Sequence, residues 1–175
     1  MIAEAAKLEV VSGTVMFTDL VGFTEFTAVR GDADAVQLLA RQDELVNAAL
    51  PHGSRLVKEL GDGLLLWFPD ATSALHTAID LQSRFEVDAQ ATGLPLWVRF
   101  GLHWGSQTVR RHDYVGHDVN VAARIVDVAG PGEVLLSQAT RAALDSTFTH
   151  VSFDELGPVL MKGIPEPIAL FRAWC

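Results

Sequence analysis

The sequence has a single cysteine, Cys175, so it forms no intrachain disulfide and no cysteine-built metal cluster, and a reducing cytosol is the expected compartment. Cations are scarce as well. Lys and Arg total 13 against 22 Asp and Glu, a formal charge of −9. That balance argues against sequence-independent binding to nucleic acid, which comes from neutralising phosphates with Lys and Arg. Any anionic ligand must instead be met by locally placed cations. No apolar run approaches the ~18–20 residues that span a bilayer, and the acidic first nine residues lack a signal peptide's basic and apolar regions. No membrane span is expected, and no repeat, low-complexity tract or linker interrupts the chain.

What is present suits one folded domain: 175 residues, 49% apolar and 20% charged, long enough to bury a sizeable core. A short lead over residues 1–12 is expected before a domain over residues 13–175. Residues 14–20 read as a strand with Val15, Phe17 and Asp19 on one face and Asp19 near its carboxyl end. Residues 34–50 carry apolar side chains at helical spacing, with Asp32 or Asp34 available as cap and Pro51 as terminator. Residues 54–60 and 64–68 are β-like runs around Gly61, Asp62 and Gly63, a hairpin signal that puts Asp62 in a turn. Asp70 is placed to cap a helix to about Ala91, followed by an extended run over 96–108. A helix over 119–129, a strand over 134–137, a helix over 138–144 and strands near 151–161 and 168–174 complete a mixed α/β order.

Two strand-end carboxylates, Asp19 and Asp62, would hold hard cations around a polyphosphate if the fold brings them together; taken singly, each is equally an ordinary turn or capping residue. After Asp19, Gly22 permits close backbone approach, so consecutive amides there form either an anion-binding nest or a plain turn. Strand alternation puts Lys58 on the face of Leu56 and Leu60, opposite Arg55, Val57 and Glu59. An ammonium there is either a functional group in need of a partner or an edge lysine that discourages aggregation. On the helix over 119–129, Asn120, Arg124 and Asp127 form one polar stripe on an otherwise apolar surface. An Arg124–Asp127 ion pair would account for two of them but leaves Asn120 unexplained. His103, His112 and His117 show no metal-ligand spacing and read as structural or exposed.

Five segments in order resemble the class III adenylyl and guanylyl cyclases: Phe-Thr-Asp-Leu-Val-Gly-Phe-Thr at 17–24, Lys-Glu-Leu-Gly-Asp-Gly at 58–63, Val-Arg-Phe-Gly-Leu-His-Trp-Gly at 98–105, Asp-Tyr-Val-Gly-His-Asp-Val-Asn-Val-Ala-Ala-Arg at 113–124, and Met-Lys-Gly-Ile-Pro-Glu-Pro at 161–167. The resemblance covers essentially the whole chain from Gly13. It implies an α+β fold with a ferredoxin-like palm core, a mixed, mainly antiparallel sheet and flanking helices. It further implies a homodimer that converts ATP to cyclic AMP with two divalent metal ions, Mg²⁺ or Mn²⁺.

By that resemblance Asp19, Asp62 and the Leu20 carbonyl hold the metals. Residues Gly22, Phe23 and Thr24 offer amides to the phosphates, with Arg99 and Lys162 supplying positive charge. Asn120 positions the ribose and Arg124 stabilises the transition state, while Lys58 and Asp113 read the base. Adenine offers an acceptor at N1 and an amino donor at N6, matching a donating Lys58 and an accepting Asp113; guanine reverses both. One chain of the dimer supplies the carboxylates and the other the base, ribose and arginine contacts, so a monomer should be inactive. Three rival readings compete with this one. A palm that makes cyclic dinucleotides lacks its Gly-Gly-Asp-Glu-Phe type of turn here. An inactive cyclase-like nucleotide-binding or dimerisation domain should lack one of the functional side chains, and none is missing. A guanylyl cyclase conflicts with Lys58 and Asp113.

Overall fold

The computed structural model describes residues 8–146 and 148–175; residues 1–7, most of the expected lead, lie outside the described residues. Strand β1 (Val10–Leu20) begins before the expected start at Thr14 and is followed by helices α1 (Phe23–Arg30) and α2 (Asp32–Ala49). The hairpin β2 (Arg55–Leu60) and β3 (Gly63–Phe68), helix α3 (Ala71–Thr92) and strand β4 (Val98–Arg110) complete a βαββαβ unit. Then come β5 (Asp113–Val115), α4 (His117–Val128), β6 (Val134–Ser137), α5 (Gln138–Ala143), β7 (Ser152–Val159) and β8 (Ile168–Trp174). The sheet runs β2-β3-β1-β4-β6-β8-β7, with β5 paired to β4 off this path. Only β4 and β6 pair in parallel; the other described pairings are antiparallel. The order β4-β1-β3-β2 within the first unit is the ferredoxin-like palm arrangement expected from the sequence.

Alternation along β1 divides the core. Met16 and Leu20 pack with Leu38 and Val46 of α2 and Leu75, Leu81 and Phe85 of α3, whereas Val15 and Phe17 face Tyr114 and the α4 residues Val119 and Ala122. Phe85 and Phe100 stack with ring centroids 6.2 Å apart and fix α3 to β4, adding about 0.5–1.5 kcal/mol beyond their burial. On the other face, α4 lies directly on β4: a Cβ at Gly101 would run into the backbone of Val126. Only glycine admits so close a helix.

Three local features depart from the sequence expectation. Helix α1 replaces an expected turn; it has eight residues and buries none fully, with Phe23 and Phe26 only partly packed, so it carries too little periodic signal to be read. The cap of α2 is Gly31 rather than Asp32 or Asp34; both acids sit inside the first turn, where they complement the helix dipole, and Asp34 pairs with Arg30 at 2.9 Å. In β2 the register shifts between Leu56 and Lys58, so Lys58 stands opposite Leu65 instead of sharing the face of Leu56, which pairs with Leu66. The bulge re-aims the lysine toward the α4 side of the sheet, with Arg55 and Val57. Asp70 caps α3 as expected, accepting from the Ser73 amide at 2.6 Å, and α5 begins at Gln138 as read.

Candidate active site

The end of β1 and the β2–β3 turn bring Asp19 and Asp62 together. Gly63 sits where a Cβ would be 2.6 Å from the Thr18 carbonyl oxygen and 3.7 Å from Asp19 Oδ1, so the turn rests against the strand that bears Asp19. Burial raises the Asp62 carboxyl above the ordinary carboxylate value, and the neighbouring Asp19 charge raises it further. Two crowded carboxylates of this kind gain from a cation between them. The buried side chain of Gln42 reaches the Asp62 carbonyl at 3.5 Å and tethers the turn to α2. Among the described residues no group of three or more His, Cys, Asp or Glu side chains gathers as a metal cage. Two carboxylates and a backbone carbonyl still fit a hard cation that takes its remaining oxygens from phosphate and water. Leu20 closes β1 opposite Val98, with its side chain in the core.

Register puts Arg99 directly across from Asp19. Its Nε and Nη2 donate to the same Asp19 Oδ2 at 2.8 and 2.6 Å, and its Nη1 donates to the carbonyls of Asp127 and Ala129 at 3.2 and 3.3 Å. The arginine expected at the phosphates is thus engaged with the Asp19 carboxylate and the carboxyl end of α4. Gly22 is left-handed, with φ 77°, and caps α1, so the amides of Phe23 and Thr24 belong to that helix's first turn.

A second group lies on β2, β5 and α4. Lys58 Nζ donates to Asp113 Oδ2 at 2.6 Å, and Asp113 Oδ1 accepts from the Tyr114 amide at 2.8 Å. Burial would raise the Asp113 carboxyl, but the bonds from Lys58 and the Tyr114 amide outweigh it and hold the group below the usual carboxylate value. On α4 the residues Val119, Val121, Ala122, Ile125 and Val126 are buried, leaving Asn120, Arg124 and Asp127 exposed on one stripe. Arg124 donates to Asp127 at 2.8 Å across one helical turn. Lys162 is exposed in the turn before β8, and its neighbours Met161 and Ile164 pack against Val121 and Ile125 beneath that stripe. Among the described residues no hydrogen bond or ion pair joins Asp19 or Asp62 to Lys58, Asp113, Asn120 or Arg124. The site residues therefore fall into two groups. A separate cleft of about 630 Å³ between α3 and the start of β4, lined by Phe85, Leu96, Trp97 and Pro131 among others, contains none of them.

Sequence reasoning missed the surroundings of His103. This buried ring contacts Ser137 Oγ at 2.7 Å and Asp118 Oδ1 at 3.3 Å, while Asp118 Oδ2 accepts from the Ser106 amide at 2.6 Å. His112 and His117 are exposed, as expected. Burial lowers the His103 pKa below 6.5, opposed by Asp118. A depressed histidine is neutral when folded, so the unfolded chain binds more protons just below pH 6.5 and stability falls with pH there, levelling off below the folded value. Thermal melts from pH 8 to 5 should show this loss in wild type and a shallower one in His103→Gln; parallel profiles would exclude His103 as the source.

The adenylate and guanylate cyclase catalytic domain family matches residues 5–172. The pH-sensitive adenylate cyclase of Mycobacterium tuberculosis is 32% identical over 161 residues, covering 91% of this chain and 40% of that protein. The chain thus spans about 40% of the length of this and a further curated mycobacterial relative. Among solved structures, the adenylyl cyclase CyaB from P. aeruginosa superposes with a TM-score of 0.84 at 26% identity, over 97% of this chain and 96% of that one. The guanylate cyclase domain from Catenaria anguillulae in complex with GTP has the same fold, with a TM-score of 0.79 at 22% identity over 95% and 98% of the two chains. Carrying both the palm and the five motifs, the chain belongs to the class III nucleotidyl cyclase catalytic domains. Among the described residues no helix is long and apolar enough to cross a membrane.

Proposed function

We propose that this chain is an adenylyl cyclase domain that forms 3′,5′-cyclic AMP and pyrophosphate from ATP at sites shared between two copies. The observation that carries the choice of base is the Lys58–Asp113 pair, one donor and one acceptor held 2.6 Å apart beside an otherwise complete set of functional side chains. The adenylate cyclase name of the 32% identical relative supports it; the fold does not separate the bases, since adenylyl and guanylyl cyclases both superpose.

In this reading Lys58 donates to adenine N1 and Asp113 accepts from the N6 amino group. Asn120 holds the ribose so that its 3′-oxygen lies in line with the α-phosphorus and the departing pyrophosphate. The 3′-hydroxyl gives up its proton to solvent as its oxygen bonds the α-phosphorus, and the bond broken joins that phosphorus to the oxygen bridging it to the β-phosphate, which leaves with pyrophosphate. Arg124 leaves Asp127 and donates to an α-phosphate oxygen as charge gathers there. Arg99, Lys162 and the first-turn amides of α1 meet the phosphates, Arg99 with its charge already shared with Asp19. Two divalent cations, Mg²⁺ or Mn²⁺, held by Asp19, Asp62 and the Leu20 carbonyl, would make the 3′-hydroxyl more acidic and stabilise the leaving pyrophosphate. Asp19 and Asp62 of one copy then face Lys58, Asp113, Asn120 and Arg124 of the other.

The test is the purified chain with Mn²⁺ or Mg²⁺ and either ATP or GTP, beside an Asp19→Asn control. Guanine leaves two polar groups mismatched at about 1 kcal/mol or more each, so kcat/KM should favour ATP by at least about thirtyfold. No cyclic AMP above the control sinks the reading, and equal rates with GTP sink the base assignment.

A further inference from the structure

Strand β5 is held in the sheet by three residue pairs with β4 and, among the described residues, pairs with no other strand. Two side-chain bonds tie it to β2: Lys58 to Asp113, and the Arg55 guanidinium to the Tyr114 hydroxyl. The first is the bond that an incoming base would compete for. The second is buttressed. The Arg55 guanidinium carbon lies 4.7 Å from the centroid of the Tyr114 ring and 6.0 Å from that of Trp67, and the two rings stack 5.5 Å apart. Trp67 stands opposite Arg55 in the β2–β3 register and donates from Nε1 to Gln107 at 3.0 Å; the buried Gln107 donates in turn to the Gly13 carbonyl at 3.2 Å. A Cβ at Gly13 would come within 2.5 Å of the Trp67 ring, so the indole is wedged against β1. Tyr114 is 4% exposed and its backbone amide donates to Asp113 Oδ1. One planar cation therefore links β3, the bulged edge strand that bears Lys58 and the short strand that bears Asp113.

We propose that Arg55 is a positioning residue for base selection: it clamps Tyr114 against Trp67, so that β5 keeps its distance from β2 once a base has taken the hydrogen bonds of Lys58 and Asp113. The inference rests on the reading of those two side chains as adenine contacts. Arg55 itself touches no substrate atom in this scheme. It acts through Tyr114, and a lysine would not replace it, because a point-charge ammonium lacks the extended planar set of donors that lets a guanidinium bond the hydroxyl while staying close to both rings.

Calorimetry with three probes in the presence of Mn²⁺ separates the possibilities: the α,β-methylene analogues of ATP and GTP, which are not turned over, and tripolyphosphate, which has no base. In Arg55→Met the ATP analogue should bind about tenfold more weakly, the order expected for losing one well-placed polar contact. Tripolyphosphate should change less than twofold, and the preference for the ATP over the GTP analogue should shrink. Arg55→Lys should behave like Arg55→Met. Arg141→Met, which removes a cation stacked 4.1 Å over Phe153 elsewhere, should change none of the three. Tyr114→Phe keeps the ring stack and loses only the hydroxyl bond; it should show the same pattern at smaller size, and it decides the matter if the Arg55 variants fold poorly. If wild type binds both analogues equally, the adenine reading of Lys58 and Asp113 is wrong. If wild type prefers the ATP analogue but the variants shift it no more than tripolyphosphate, or shift nothing, the positioning role of Arg55 is wrong.

Discussion

Asp19→Asn should lower kcat for cyclic AMP formation by about a thousandfold or more while leaving the melting temperature nearly unchanged. The size follows from the several kcal/mol of transition-state stabilisation that a bound cation supplies, each 1.36 kcal/mol being tenfold in rate. The choice of asparagine follows from the structure. Arg99 donates twice to one oxygen of Asp19, and an asparagine carbonyl in the same place still accepts, so the half-buried guanidinium is not stranded. Alanine removes both roles at once and confounds folding with catalysis. Steady-state rates with Mn²⁺ beside a thermal melt check the expectation; an Asn variant with wild-type turnover would remove Asp19 from the metal site.

Arg124→Ala should reduce kcat by about 10²–10³, the usual consequence of deleting one donor aimed at developing charge, with a smaller change in KM. Its ground-state partner is the exposed Asp127 one turn away, and an exposed pair contributes little to stability, so the fold should tolerate the change. Mixing this variant with the Asp19 variant sharpens the result. With free exchange of equal amounts, half of the dimers are mixed and each mixed dimer has one intact site of two, so about a quarter of wild-type activity should return. No recovery under conditions where subunits demonstrably exchange would exclude a site shared between copies.

The parts of this molecule that were legible in the sequence are those in which chemistry and local period coincide. The Gly61-Asp62-Gly63 turn reads as a hairpin because only such residues reverse the chain so tightly, and the polar stripe on α4 reads from spacings of three and four. Lys58 reads onto the wrong face for a definable reason. Alternation assumes an unbroken pleat, and one extra residue between Leu56 and Lys58 inverts it without leaving a compositional trace. Arg99 shows the other kind of blindness: its charge was visible, but its position across from Asp19 depends on the register of two strands eighty residues apart. Helix α1 leaves no periodic trace because its eight residues include none that is fully buried. The Arg55–Tyr114–Trp67 stack joins three strands, and no window along the chain contains it.

The contact between Gly101 and Val126 sets a tolerance for everything mounted on α4. With no side chain between strand and helix, the height of the helix above the sheet is fixed by backbone against backbone, and repacking has no spacer to exchange. Asn120 and Arg124 are therefore carried on a mount without adjustment. Any retuning of their reach toward a different substrate must come from the length and branching of the side chains themselves, because moving the helix by even one methylene would require remaking the strand beneath it.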